Sequence, residues 1–276
     1  MAQAKVLGHN GRMDMKGKTA LVTGGSSGIG RATALAFALR GASVAIAARG
    51  EERGRAVADE IEELGAPALF VRADVSVASE VDQLVDRTVE RFGRIDYAVN
   101  NAAAVEEPFG RLADFTEAQF DRSIALNLKS VWLCMRAEIR SMMGQAPAGG
   151  AIVNTSSANG LGGVAAASLY AAAKAGVIAL TKSAAMEYTR LGIRINTLVA
   201  GAFETPMLAE AMQRSSGGNA EARAAIEARW KETVPAGRIG RPAEAAEAIV
   251  WLCSDAASYV TGHSMIVDGG LTAMWR

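Results

Sequence analysis

Short runs of apolar residues, each about the length of a buried strand, recur along the chain and alternate with stretches of helical period. Seven runs read as strands, near 18–23, 43–48, 67–71, 95–99, 150–156, 193–199 and 264–267. Between most of them lie patterns with apolar positions three and four residues apart, at 31–40, 77–92, 120–143, 168–191 and 243–253. Gly41 closes the first of these as a C-terminal stop. Strands alternating with helices through right-handed crossovers predict an α/β fold, a doubly wound parallel sheet of about seven strands with helices on both faces. Ligands in such sheets bind beyond the carboxyl ends of the strands.

The polar stretch 1–15 has no apolar core and predicts a flexible N-terminal extension, leaving 16–276 as a single domain. A chain of 276 residues with 50% hydrophobic content is large enough to bury a substantial core. Lysine plus arginine and aspartate plus glutamate both number 29, so no basic excess points to nucleic acid. The alanine-rich stretch 160–185 is interrupted by Lys174 and Lys182, which argues against a membrane span. Cys134 and Cys253 lie far apart in apolar helical runs, without the spacing of metal ligands or of a disulfide framework. With His9 in the extension, only His263 remains for a Ser-His-Asp arrangement, and no metal site is expected. Asn154-Thr155-Ser156 matches a glycosylation sequon, but it ends a core strand in a chain that reads as cytoplasmic.

Two constellations carry chemistry. In TGGSSGIG, Gly24, Gly28 and Gly30 stand between the first strand and the first helix, where backbone amides and a helix N-terminus can hold a pyrophosphate. Arg31-Ala32 follows where a phosphate-transfer loop needs Lys-Ser/Thr, so that alternative fails. Downstream, Tyr170 and Lys174 are one helical turn apart, and Ser157 ends the strand AIVNTSS. An ammonium near a phenol favours the phenolate; at ~4 Å and an effective dielectric of about 20 the attraction is roughly 4 kcal/mol before screening. The spacing therefore predicts a tyrosine brought towards neutrality, suited to proton exchange with a carbonyl-derived oxygen.

Together these motifs resemble the short-chain dehydrogenase/reductase family, from about Lys16 to Thr272. The likeness extends through Asp74-Val75, Asn100 to Ala103, Asn127, the segment from Ala200 to Met207 and Val267 to Gly270. It implies a Rossmann-like fold binding a nicotinamide dinucleotide through Gly24, Ser26, Ser27, Gly28, Ile29 and Gly30. Asp74 and Val75 would flank the adenine, Asn100 would lie by the adenosine ribose, and Asn101 and Ala102 would also touch the cofactor. Tyr170 would be the general acid/base, with Ser157 orienting the substrate oxygen. Lys174 would bind the nicotinamide ribose, and Asn127 would hold a water linking Lys174 to a proton relay. Thr205 would meet the nicotinamide carboxamide. Ala103 and Ala200 stand where the family usually has glycine and proline. The resemblance also implies a homotetramer, with 120–143 and 168–191 pairing across one interface and GLTAMWR reaching towards another.

Cofactor choice turns on the end of the second strand. An acidic residue there favours NAD(H), whereas Ala48 is followed by Arg49, whose guanidinium can pair the 2′-phosphate of NADP(H). The expected reaction is NADP(H)-dependent interconversion of a ketone and a secondary alcohol. An NAD(H)-dependent dehydrogenase of a cyclic alcohol or sugar, a lyase or isomerase on the same fold, and a non-catalytic nucleotide-binding member are the alternatives. The segment 200–235 is expected to cover a small-molecule substrate, with Phe203, Met207, Leu208, Met212 and Trp230 as apolar walls and Asn159 as a polar contact. SSGGN at 215–219 reads as a flexible break in a mobile lid.

Overall fold

The computed structural model describes residues 13–104 and 110–273. Seven strands alternate with nine helices among these residues: β1 (Thr19–Thr23), α1 (Gly28–Ala38), β2 (Ser43–Ala48), α2 (Glu51–Glu63), β3 (Ala68–Arg72), α3 (Ala78–Phe92) and β4 (Tyr97–Asn100). There follow α4 (Glu117–Ile124), α5 (Ser130–Gly144), β5 (Gly150–Ser157), α6 (Ser168–Tyr188), β6 (Ile193–Ala200), α7 (Pro206–Ser215), α8 (Ala220–Thr233), α9 (Pro242–Cys253) and β7 (Ser264–Val267). Every strand expected from the apolar runs is present, with its ends moved by no more than two residues.

All seven strands are parallel, in the order β3-β2-β1-β4-β5-β6-β7. The order reverses between β1 and β4, the switch point beside which ligands bind in such sheets. Alternate residues of each strand face opposite layers. Ala20 and Val22 of β1, with Val44 and Ile46 of β2, pack with Phe37 of α1, Ile61 of α2 and Ile249 of α9. Leu21 and Ala45 face the other way, into a layer with Leu84 of α3, Met135 of α5 and Val177 of α6. Small residues along α1 and α9 let these helices lie close together, and the Phe37 and Tyr97 rings stack 5.6 Å apart beneath them. Arg194 of β6 donates to the carbonyls of Leu252, Cys253 and Ser254, placing a cation at the C-terminal end of α9.

Two expectations need correction. Met15, assigned to the extension, is 1% exposed and donates its N–H to Arg40 O, so the packed chain starts before Lys16. Residues 1–12 and the last three of GLTAMWR lie outside the described residues. The single helix expected over 120–143 begins at Glu117, where Thr116 and Gln119 form a capping box, and passes through a π-helical turn at Ala125–Lys129 before α5. That turn, with its wider hydrogen-bond spacing, contains Asn127. The break expected at 215–219 is present as a tight turn between α7 and α8: Gly217 and Gly218 take left-handed conformations, and Asn219 caps α8 by accepting from Ala222 N. No helix among the described residues is long and apolar enough to cross a membrane.

Candidate active site

A cleft of about 600 Å³ opens at the carboxyl ends of the strands. One end is built by the turn from β1 into α1. Gly24 has φ +66°, and a Cβ there would lie 2.9 Å from Ala102 Cα. The turn therefore packs against the loop after β4 without a side chain between them. Ser26, Ser27, Gly28 and Ile29 line the cleft. Gly30 does not; it sits behind the turn, where a Cβ would fall 2.2 Å from Gly24 O. The N-cap of α1, Ser27, makes no side-chain cap, and the first turn has no acidic residue. The initial N–H groups of α1 have no intrahelical partner and carry the positive end of its dipole. This uncapped terminus over a side-chain-free cradle fits the pyrophosphate of a dinucleotide.

Thr23 fastens the cradle. Its hydroxyl accepts from Asn101 N at 3.1 Å and Ala102 N at 3.2 Å, and donates to Val99 O at 3.3 Å. Sequence reasoning passed over Thr23, although it stands first in TGGSSGIG. Asn101 and Ala102 line the cleft, whereas Asn100, expected by the adenosine ribose, turns into the core. Strand alternation directs its side chain to Glu138 Oε2 and Asn154 Oδ1, each at 2.9 Å. Asn154, the sequon residue, is fully buried and donates onward to Thr181 Oγ1. At the far end Arg49, Asp74 and Val75 line the cleft together with Arg53, which sequence reasoning missed. Burial would raise the Asp74 carboxyl, but hydrogen bonds from Ser76 and the charge of Arg49 outweigh it and leave the group below its usual range.

The central cluster joins β5 to α6. Ser157, Tyr170, Lys174 and Asn127 all line the cleft. The Ser156 hydroxyl donates to Lys174 O at 2.8 Å, and the turn at Gly160 lies so close to α6 that a Cβ would sit 2.7 Å from the Lys174 carbonyl carbon. These contacts set the height of α6 against the end of β5. Tyr170 and Ser157 share a side-chain hydrogen bond, and the Ser157 hydroxyl accepts from Asn159 N at 3.2 Å. Lys174 is 2% exposed and donates from Nζ to Thr155 O at 3.0 Å. Asn127 grips the loop after β4 from both sides, donating to Ala104 O at 2.9 Å and accepting from Ala104 N at 3.2 Å. Its amide nitrogen also donates to Ser123 O at 3.1 Å, so the side chain ties that loop to α4.

The third side is the wall carried by the segment after β6. Asn159, Phe203, Met207, Leu208, Met212 and Trp230 all line the cleft, and helices α7 and α8 form the cover. Phe203 is 5% exposed and also packs into the core beneath, so it is as much support as wall. Thr205 caps α7 by accepting from Leu208 N, while its methyl faces Gly28 across the cleft. Ala166, just before α6, has φ +64°, a strained setting for a residue with a Cβ, and its carbonyl accepts from Gly110 N. Ala103 lines the cleft, and Ala200 ends β6 paired with Val267.

The family profile described as enoyl-(acyl carrier protein) reductase matches residues 24–272. The chain belongs to the short-chain dehydrogenase/reductase family. It is 41% identical over 261 residues to 2,5-dichloro-2,5-cyclohexadiene-1,4-diol dehydrogenase of Sphingobium indicum, covering 95% of this chain and 99% of that one. It is 44% identical to cis-4-hydroxycyclohexanecarboxylate dehydrogenase of Sinomonas cyclohexanicum, covering 93% and 97%. The crystal structure of levodione reductase superposes with a TM-score of 0.89 at 37% identity, covering 95% of this chain and all of that one. This short-chain dehydrogenase/reductase is accordingly an oxidoreductase of CH–OH and C=O groups that uses a nicotinamide dinucleotide.

The electrostatics of the dehydrogenase differ from what its spacing alone predicts. Burial pushes the Tyr170 phenol up to about 12, and the hydrogen bond with Ser157 offsets only part of the rise. Burial also pushes the Lys174 ammonium down to about 8. The reason lies in the geometry: Nζ stands 5.6 Å from the centroid of the Tyr170 ring, over its face, while desolvation acts on both groups. At neutral pH Tyr170 is therefore a protonated phenol, ready to donate.

Proposed function

We propose that this protein is an NADP(H)-dependent oxidoreductase interconverting a cyclic ketone and its secondary alcohol. The observation that carries this reading is the meeting, in one cleft, of Ser157, Tyr170 and Lys174 with Arg49 and Arg53 at the opposite end. Two guanidiniums offer planar donors to a 2′-phosphate, and Ala48 stands where an acidic residue would favour NAD(H). The ring in the substrate is inferred from the relatives, whose names specify a cyclohexadiene diol, a hydroxycyclohexanecarboxylate and levodione.

When bound, the dinucleotide supplies or accepts the hydride. The chain's own residues manage the oxygen. Ser157 and Tyr170 converge on one point at the end of β5, where both hydroxyls can hold the carbonyl oxygen. Tyr170 gives its proton to that oxygen as negative charge develops, and the Lys174 ammonium beside the ring stabilises the phenolate left behind. Oxidation of the alcohol runs the same steps in reverse. Gly24, Ser26, Ser27, Gly28 and Ile29 hold the pyrophosphate, Asp74 and Val75 the adenine, and Thr205 the nicotinamide end. Asn101 and Ala102 complete the wall.

We further propose a homotetramer, supported by Phe120, Trp132 and Met186, which leave large apolar groups exposed on α4, α5 and α6. A cytoplasmic setting fits Cys134 and Cys253 as buried free thiols. The deciding experiment is a panel of cyclic and acyclic ketones, sugars and acyl thioesters assayed with NADPH and with NADH by nicotinamide absorbance. Turnover of cyclic ketones with NADPH at least tenfold above NADH is the expected result. No turnover of any ketone, or a clear preference for NADH, would overturn it.

A further inference from the structure

The charges that line the cleft are unevenly placed. Arg49, Arg53 and Asp74 are all at the adenine end, next to the tip of β2. At the substrate end the described wall includes Phe115, Met207, Leu208, Met212, Ile226 and Trp230, with Asn159 and Ser215 among its uncharged polar groups. Among the described residues that line the cleft, the cation at this end is Lys174, which is 2% exposed and already donates to Thr155 O.

A carboxylate carried on the substrate ring would leave water for this apolar wall, where the described lining offers no cation beyond Lys174, itself committed to Thr155 O. Burying an unpaired ion is strongly unfavourable, whereas an ester of the same shape loses little. We infer that the substrate is uncharged: the site takes neutral alicyclic ketones and secondary alcohols and rejects ring carboxylates. This specificity rests on the ketone–alcohol reading above and narrows it to a class of substrate.

The test compares 4-methylcyclohexanone, methyl 4-oxocyclohexanecarboxylate and 4-oxocyclohexanecarboxylate at pH 7.5 with NADPH and the full-length enzyme. The two neutral ketones should have similar kcat/KM, with the acid lower by about 100-fold and the loss mainly in KM. A Met207→Lys variant, which adds an ammonium to the wall, should raise the acid-to-ester ratio of kcat/KM at least tenfold, about 1.4 kcal/mol. Acid turned over as well as ester by the unmodified enzyme overturns the inference. Calorimetric titration of ester and acid decides it independently of turnover. Tighter ester binding supports a neutral site even if no ketone is reduced, a result that would count against the proposed reaction alone. Equal or tighter acid binding refutes it.

Discussion

The Lys174 ammonium stands over the face of the Tyr170 ring, 5.6 Å from its centroid, anchored by a 3.0 Å hydrogen bond to Thr155 O. The lysine is therefore positioned by β5 as much as by its own helix. Its effect on the phenol is felt through a shared, desolvated pocket. Burial keeps the proton on Tyr170 at neutral pH.

Replacing Tyr170 by Phe removes the donor while leaving the ring and its packing. Carbonyl reduction should fall by at least about 1000-fold, with NADPH affinity within a few-fold of the parent. Initial rates paired with a fluorescence titration of NADPH check both halves. Near-normal turnover would refute the assignment of Tyr170.

Lys174 sets an upper pH limit. Its pKa is lowered from 10.5 to about 8, so the ammonium is intact below pH 8 and lost above it. The kcat/KM for ketone reduction should be level below about pH 8 and fall as pH rises beyond. In Lys174→Arg the guanidinium does not titrate, so activity is reduced but the high-pH decline disappears. A parent profile that stays flat to pH 10 would remove Lys174 from the proton step.

Arg49→Asp should reverse the cofactor preference. A carboxylate would repel the 2′-phosphate and hydrogen-bond a free ribose hydroxyl instead. The NADPH/NADH ratio of kcat/KM should drop by at least about tenfold, and more in a double variant with Arg53→Ala. An unchanged ratio in the double variant would exclude both guanidiniums from cofactor choice.

Glu138 is fully buried, faces Asn100 and Cys134, and leaves Oε1 without a partner. Burial raises its carboxyl from 4.5 to about 7, against a lowering hydrogen bond from Asn100. A raised folded-state pKa means that the folded state holds the proton more tightly. Stability contributed by this group is thus present below pH 4.5 and lost as pH rises to about 7, by an order of 3 kcal/mol. Glu138→Gln should abolish that dependence and raise the melting temperature at pH 8 by about 5 °C or more. Thermal unfolding at several pH values gives the answer, and a lower melting temperature for the variant at pH 8 would show the carboxylate to be a net stabiliser.

Gly30→Ala places a Cβ 2.2 Å from Gly24 O, a backbone atom that cannot yield without moving the pyrophosphate cradle. The expected outcome is a loss of about 1–3 kcal/mol in stability together with weakened dinucleotide binding, measured by denaturant titration and calorimetry. A variant that binds NADPH like the parent would show that the cradle tolerates the shift.

The run 43–48 was legible because a buried parallel sheet demands unbroken apolar segments, and it reappears as β2; the run 264–267 reappears with the same ends as the partly exposed edge strand β7. The chemistry was legible where it is local: Ser157 at a strand end, and Tyr170 and Lys174 one turn apart. Helices α7 and α8 were harder to read, because their partly buried faces contact a cleft and not a continuous core, which blurs the apolar period. Arg53, Thr23 and the inward turn of Asn100 left no such mark either, since each acts on residues distant in the chain.

The sequence by itself determined the order of strands and helices, the glycine turn and the candidate side chains for chemistry, because periodicity and residue type act over a few neighbouring positions. Only the tertiary structure decided which of those side chains share a cleft, which way Asn100 and Asn127 point, and how strongly Tyr170 and Lys174 are perturbed. Those properties depend on burial and on partners from distant strands. The field at a phenol is set by everything packed around it, and no spacing along the chain records that.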